Sequence, residues 1–355
     1  MSSLIRTASH AGSWYSDNPS TLRSSLRNWL DSVPDSLQNI SPPKQNVPVP
    51  PSNTRAVIVP HAGYTYCGKT AAYAFKSINI EPIERIFIIG PSHSVYFEDC
   101  CLSISDEWET PFGNIHVDRK TVDELNQTGS FSEMSLEEEE DEHSLEMMVP
   151  YLYKVFSTKI SSVSIVPVVV GNLDSNKERY YGELFAPYLD CPKTLFVISS
   201  DFCHWGSRFS YTFYSPVKSV EEKPSENVGY LTGGTSRSLS SKITKIDTSV
   251  PIYKSIEYLD HEAMEIISSI NHTQFKSYLS KTKNTICGRH PIAILLAATE
   301  FLINEKQKPS DANSRTISRH PENVHLAFID YSQSSKVASQ RESSVSYASG
   351  VLYVS

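Results

Sequence analysis

The stretch VISSDFCHWG, residues 197–206, closes a short apolar run with Asp201, Cys203 and His204. A carboxylate, a thiol and an imidazole set so close together could be metal ligands, an acid–base pair, or ordinary turn residues. Other parts of the chain offer groups that could meet them. PHAGYTYCG puts His61 directly after one apolar run, and GPSH puts His93 a few residues beyond the next. A lone histidine after a strand is most often a turn residue bonded to backbone. Two of them, with His204 as a third, favour a metal or acid–base site. TICGRHP places Cys287 just before an apolar helix, with Arg289 and His290 beside it. Alone, such a cysteine reads as a buried thiol at a helix entrance, although a helix start can lower its pKa enough for metal binding or redox chemistry. Arg289 suits either an anion or a structural role.

Three further segments carry weaker signals. EEEEDEHSLEMMVPYL, residues 137–152, begins as a charge run, the usual mark of a solvated surface. It then becomes an amphipathic helix on which His143 and Glu146, three apart, share a face. Capping and surface pairing are the commoner uses of that spacing, and a supporting place beside a pocket is the alternative kept for both. HAGSWY, residues 10–15, offers His10, Trp14 and Tyr15, to rim a pocket or to anchor the terminus. SSVSYASG, residues 343–350, is small and hydroxyl-rich, as in a tightly packed strand.

The elements that must position these groups follow from the apolar pattern. RAVIVP, RIFIIG, VSIVPVVVG, TLFVISS and VHLAFID are short runs apolar on successive residues, which suits strands covered on both faces. Helical segments alternate with them: GKTAAYAFKSI, LEMMVPYLYKVF, ERYYGELFAPYL, IEYLDHEAMEIISSI and PIAILLAATEFLI. This alternation predicts an α/β fold, a mainly parallel central sheet flanked by helices. CLSISDEWET and GNIHVD read as a local hairpin beside it. In an open parallel sheet, ligands bind beyond the carboxyl ends of the strands, where His61, His93, Asp201 and His204 all fall. One domain spanning 1–355 is expected. A Pro-rich extended connector is expected at 34–53, after a helix at about 20–32, and disordered or loop insertions at 215–250 and 306–323.

Composition narrows the classes of function. A formal net charge of -8 argues against a dedicated nucleic-acid binder, which normally presents a basic face. No apolar run approaches the ~20 residues that span a bilayer, and the first residues lack the apolar core of a secretory signal. The chain is expected in the cytoplasm, with the nucleus also open to it. The six cysteines are scattered without CxxC spacing, so they read as reduced thiols.

Taken together, ASHAGSWY, PHAGYTYCG, RIFIIGPSH, DEHSLEM, SSDFCHWG, NTICGRHPI and SSVSYASG resemble the Memo family, named for a mediator of receptor-driven cell motility. The match runs in order along almost the whole chain outside the three loop segments. The resemblance implies a fold like that of class III extradiol dioxygenases, with a vestibule at the sheet edge. It implies a metal site of His61, His93 and Cys287 that takes copper(I) or iron(II), with Asp201 and His204 as catalytic pocket residues. Many family members carry a second histidine after the first; here Ser94 stands there. The function implied is metal-dependent redox chemistry tied to oxidant signalling, metal homeostasis and cell motility. Two imidazoles and a thiolate differ from the two-histidine, one-carboxylate set of non-haem iron oxygenases, and the softer sulfur favours copper(I). Cys203 is expected to pack beneath the pocket. Two other readings stand beside this one: a binding module for a peptide or signalling partner, with Trp14, Tyr15 and Arg289 as its groove, and a ring-cleaving dioxygenase.

Overall fold

In a computed structural model the described residues are 3–41, 44–216, 229–231, 242–243, 247, 249–305, 317 and 320–355. The insertions expected at 215–250 and 306–323 therefore lie mostly outside the described residues. The centre of the molecule is a set of four parallel strands, β1 (Asn53–Val59), β2 (Arg85–Pro91), β3 (Ser164–Val170) and β4 (Thr194–Ser199). They lie side by side in the order β3-β2-β4-β1. Each is buried along nearly its whole length, which is why its residues are apolar in succession rather than alternately. Two C-terminal strands, β5 (Val324–Gln333) and β6 (Ser344–Val354), extend the sheet, with β6 antiparallel to both β1 and β5. The result is a mixed, mostly parallel sheet flanked by helices, as the alternating pattern requires.

Three helices matter for the site: α1 (Tyr64–Lys76) follows β1, α2 (Ser175–Asp190) follows β3, and α3 (Arg289–Asn304) packs against α2. The segment LEMMVPYLYKVF is not one helix. It breaks into His143–Glu146 and Val149–Val155, with Pro150 in the first turn of the second piece, where its missing N–H costs nothing. Glu107–Thr110 and Gly113–Val117 form the expected hairpin, while Cys100–Leu102 pairs with β3 instead. Segment 34–53 is more than an extended connector. Ser36–Gln38 and Asn46–Pro48 pair antiparallel, and Leu37 and Val47 are buried, so the chain there contributes to the core. The acidic run differs as well. Glu139 and Glu142 are buried, because Glu139 takes hydrogen bonds from Ser103, Ser105 and the Ile104 N–H, and Glu142 turns toward the sheet edge.

Candidate metal centre

Because β4 lies between β1 and β2, the carboxyl ends of these three strands are neighbours. His61 leaves β1, His93 leaves β2, and Ser199 and Asp201 sit at the end of β4. The fourth contribution comes from the start of α3. Gly288 lies so close to β4 that a Cβ there would stand 2.4 Å from Ser200 Cβ, and its N–H donates to Ser200 Oγ at 3.1 Å. Glycine alone permits that approach, and it brings Cys287 Sγ to 3.2 Å from His61 Nε2. Ligand atoms of His61, His93 and Cys287 all lie within 4.8 Å of one another.

The hydrogen bonds behind the two imidazoles fix which nitrogen is free. Ser199 Oγ donates its single proton to the Ser144 carbonyl at 2.7 Å, so toward His61 Nδ1, also at 2.7 Å, it can only accept. His61 therefore carries its proton on Nδ1 and aims a bare Nε2 at Cys287. Burial, with the charges of His93, His143 and His204 adding to it, holds His61 well below the usual histidine range, so the ring is neutral. His93 Nδ1 meets Glu142 Oε1 at 3.0 Å, and the same carboxylate accepts from the His93 N–H and the Ser144 N–H. Burial would raise Glu142, but the hydrogen bond and charge of His93 and the Ser144 N–H outweigh it and bring it to about 2. An ionised Glu142 keeps a proton on His93 Nδ1, so Nε2 is the nitrogen left to hold a cation. Burial and the nearby Asp201 push the Cys287 thiol well above the ordinary cysteine range. A cation arriving there would displace its proton. Two bare imidazole nitrogens and one thiol within bonding reach of a common point fit a soft or borderline transition metal. His93, Glu142 and His143 form a second group of donors within 4.8 Å.

Asp201 is bonded to the β1 turn and to Cys287. Its Oδ1 accepts from the His61 N–H at 2.8 Å, and its own N–H donates to Cys287 Sγ at 3.2 Å. It thus ties the β1 turn to the thiol. Burial pushes it up to about 7 against the opposing His61 and Ala62 N–H groups. His204 is held by carbonyls: its Nδ1 meets Phe202 O at 2.9 Å and Thr285 O at 3.1 Å. Its Nε2 is therefore bare as well. Cys203 is fully buried in a second apolar cluster with Trp205.

Above these groups opens a cavity of about 570 Å³. His61, His93, Asp201, His204, His143 and Trp14 line it, together with Tyr66, Arg208, Phe209 and Tyr347. His143 stacks between Trp14 and His93, with ring centroids at 4.3 and 4.4 Å. Burial and the His93 charge bring His143 down to about 4. Glu146, three residues on, faces away from the cavity and binds Arg6, His10 and Tyr15. The groove imagined from Trp14, Tyr15 and Arg289 is not formed. Tyr15 is buried with its hydroxyl on Glu146, Arg289 lines a separate cavity, and Arg208 supplies the cation here. Ser199, Glu142 and Tyr66 lie inside the stretches SSDFCHWG, DEHSLEM and PHAGYTYCG but were not singled out there, and Arg208 lies outside every quoted stretch.

A mostly parallel α/β sheet whose carboxyl edge gathers two imidazoles and a thiol beneath an open cavity defines a protein with a candidate metal centre. Comparison with known proteins adds the family. A family model described as Memo-like protein matches residues 6–351, and the chain belongs to that family. Protein MEMO1 of Xenopus laevis is 42% identical over 353 residues, covering 99% of this chain and 98% of its own. Protein MEMO1 of Homo sapiens is 41% identical over 351 residues, covering 99% and 98%. Protein memo-1 homolog of Caenorhabditis elegans is 40% identical over 349 residues, covering 98% of this chain and 83% of its own.

Proposed function

We propose that this chain is a metal-binding redox protein in which His61, His93 and Cys287 hold copper(I) or iron(II). The observation that carries the reading is the 3.2 Å approach of Cys287 Sγ to His61 Nε2, on an imidazole whose other nitrogen is already committed to Ser199. The thiolate favours copper(I), while the pair of imidazoles serves iron(II) equally well. A redox metal held there supplies one-electron exchange with an oxidant such as dioxygen. The chain's own residues do the rest. Ser199 and Glu142 keep two lone pairs aimed at one point, Asp201 holds the His61 turn against the thiol, and His204 offers Nε2 to take or return a proton at the cavity floor.

In this reading the protein acts in the cytoplasm in oxidant signalling and metal homeostasis, feeding into motility and cytoskeletal control. Among the described residues no helix is long and apolar enough to cross a membrane. A second reading, a binding module for a peptide or signalling partner, draws on the cavity rim of Trp14, Tyr66, Phe209 and Arg208. A ring-cleaving dioxygenase is the weakest reading, since the third donor is a thiol and Asp201, the carboxylate beside it, is spent on backbone N–H groups. Elemental analysis of protein purified under reducing conditions tests the proposal. About one equivalent of copper or iron, absent from a His61→Ala, His93→Ala variant, is expected. Metal-free protein that also fails to take up either ion on titration would overturn it.

A further inference from the structure

A second cavity, of about 250 Å³, lies at the same sheet edge, and Cys287 forms part of its wall. Its lining divides into two halves. Val95, Phe97 and Val170 present hydrocarbon, while Asn172, Arg289 and His290 present polar groups. Among the described residues no aspartate or glutamate lines it. The Arg289 guanidinium, partly exposed, makes no hydrogen bond or ion pair among the described residues. His290 is buried and held in place from behind: its Nδ1 meets Glu178 Oε1 at 2.6 Å, and its Nε2 reaches Asn172 Oδ1 at 3.3 Å. The Glu178 carboxylate is also engaged by Lys276 Nζ at 2.6 Å and His272 Nε2 at 2.9 Å, so its charge is compensated behind the wall.

An uncommitted guanidinium facing a cavity with no carboxylate calls for an anion, and the planar fork of arginine matches a carboxylate. The valines and phenylalanine of the lining give nothing to a bare inorganic ion, but they can bury a hydrocarbon body. We propose that this cavity binds a small organic acid, its carboxylate on Arg289 and its hydrocarbon part against Val95, Phe97 and Val170. The inference stands apart from the metal reading, because neither half of the cavity depends on a metal.

The test is a titration of the full-length, metal-free protein with acetate, propionate, butyrate and inorganic phosphate, followed by NMR shift changes. Affinity should rise roughly fourfold for each CH₂ added from acetate to butyrate. It should fall tenfold or more in Arg289→Gln and stay within twofold of the parent in Arg208→Gln, whose cation faces the larger cavity. Val95→Asp, on a partly exposed loop residue, places a like charge against the acid and should weaken butyrate in the same way, even where Arg289→Gln lowers solubility. Butyrate binding no tighter than acetate or phosphate would overturn the proposal. So would unchanged affinity in both cavity variants, or a loss that follows Arg208→Gln instead.

Discussion

Glu146 is the carboxylate that fastens the N-terminal segment to the body of the protein, and Glu146→Gln removes its charge while keeping its shape. It is almost fully buried and receives Arg6 Nη1 at 2.5 Å, His10 Nδ1 at 2.8 Å and the Tyr15 hydroxyl at 2.7 Å. Burial by itself would raise its pKa. The His10 hydrogen bond, the Arg6 charge and the Tyr15 hydrogen bond outweigh that and lower it from 4.5 to about 2. At about 1.4 kcal/mol per pH unit, that drop is worth on the order of 3 kcal/mol. Breaking a buried ion pair by removing one partner costs a similar amount, roughly 3–5 kcal/mol, since Arg6 would stay buried without its counter-charge. The folded pKa is depressed, so this stability is fully present above pH 4.5 and is lost as pH falls toward 2. Thermal unfolding followed by circular dichroism from pH 7 to pH 2.5 reads the effect. At pH 7 the variant should melt lower by on the order of 5 °C, and the gap should close as pH falls from 4.5 toward 2. A gap that stays constant across that range, or no gap at pH 7, would refute the charge-based account of this contact.

Three further outcomes follow from the site. Ser199→Ala strips His61 Nδ1 of its acceptor and should weaken copper(I) binding roughly 10-fold in chelator competition. The ¹⁵N shifts of His61 should then report a mixture of tautomers, and a single unchanged tautomer would sink the argument. Cys287→Ser replaces a polarizable thiolate with a neutral hydroxyl and should lower copper(I) affinity steeply, whereas Cys203→Ser, in the second apolar cluster, should change it little. Cys287→Asp should shift preference toward iron(II); copper(I) held by Cys287→Ser as tightly as by the parent would make the cysteine a packing residue. His204→Ala should reduce metal-dependent oxidant production while bound metal, measured by elemental analysis, stays near the parental ratio. Loss of the metal along with the activity would place His204 among the ligands.

The strands and the places of His61 and His93 at the sheet edge could be read from the chain because both depend on local pattern, whereas Cys287 joined them only through the family resemblance. A run such as RIFIIG has few uses other than a buried strand, and a histidine just beyond it must lie at the sheet edge. What could not be read depends on which segments meet across the fold. Ser199 reaches His61 because β4 slots between β1 and β2, an order no local motif encodes. Glu142 is one of six consecutive acids, and only the packing of that turn decides that it and Glu139 are buried while their neighbours face solvent. Tyr15 and Arg289 sit beside pocket residues in sequence, yet their side chains lead to Glu146 and to the smaller cavity.

The turn at Ser144 joins what would otherwise be separate supports. Its carbonyl takes the proton of Ser199, its N–H donates to Glu142, and its hydroxyl donates to the Pro91 carbonyl at the end of β2. Gly90 makes room for it, since a Cβ there would stand 2.8 Å from Ser144 Oγ. Both imidazoles therefore take their aim from one hinge pin. A tilt of this turn would swing both lone pairs together, so His61 and His93 would grip or release a cation in concert, as two jaws of a single clamp.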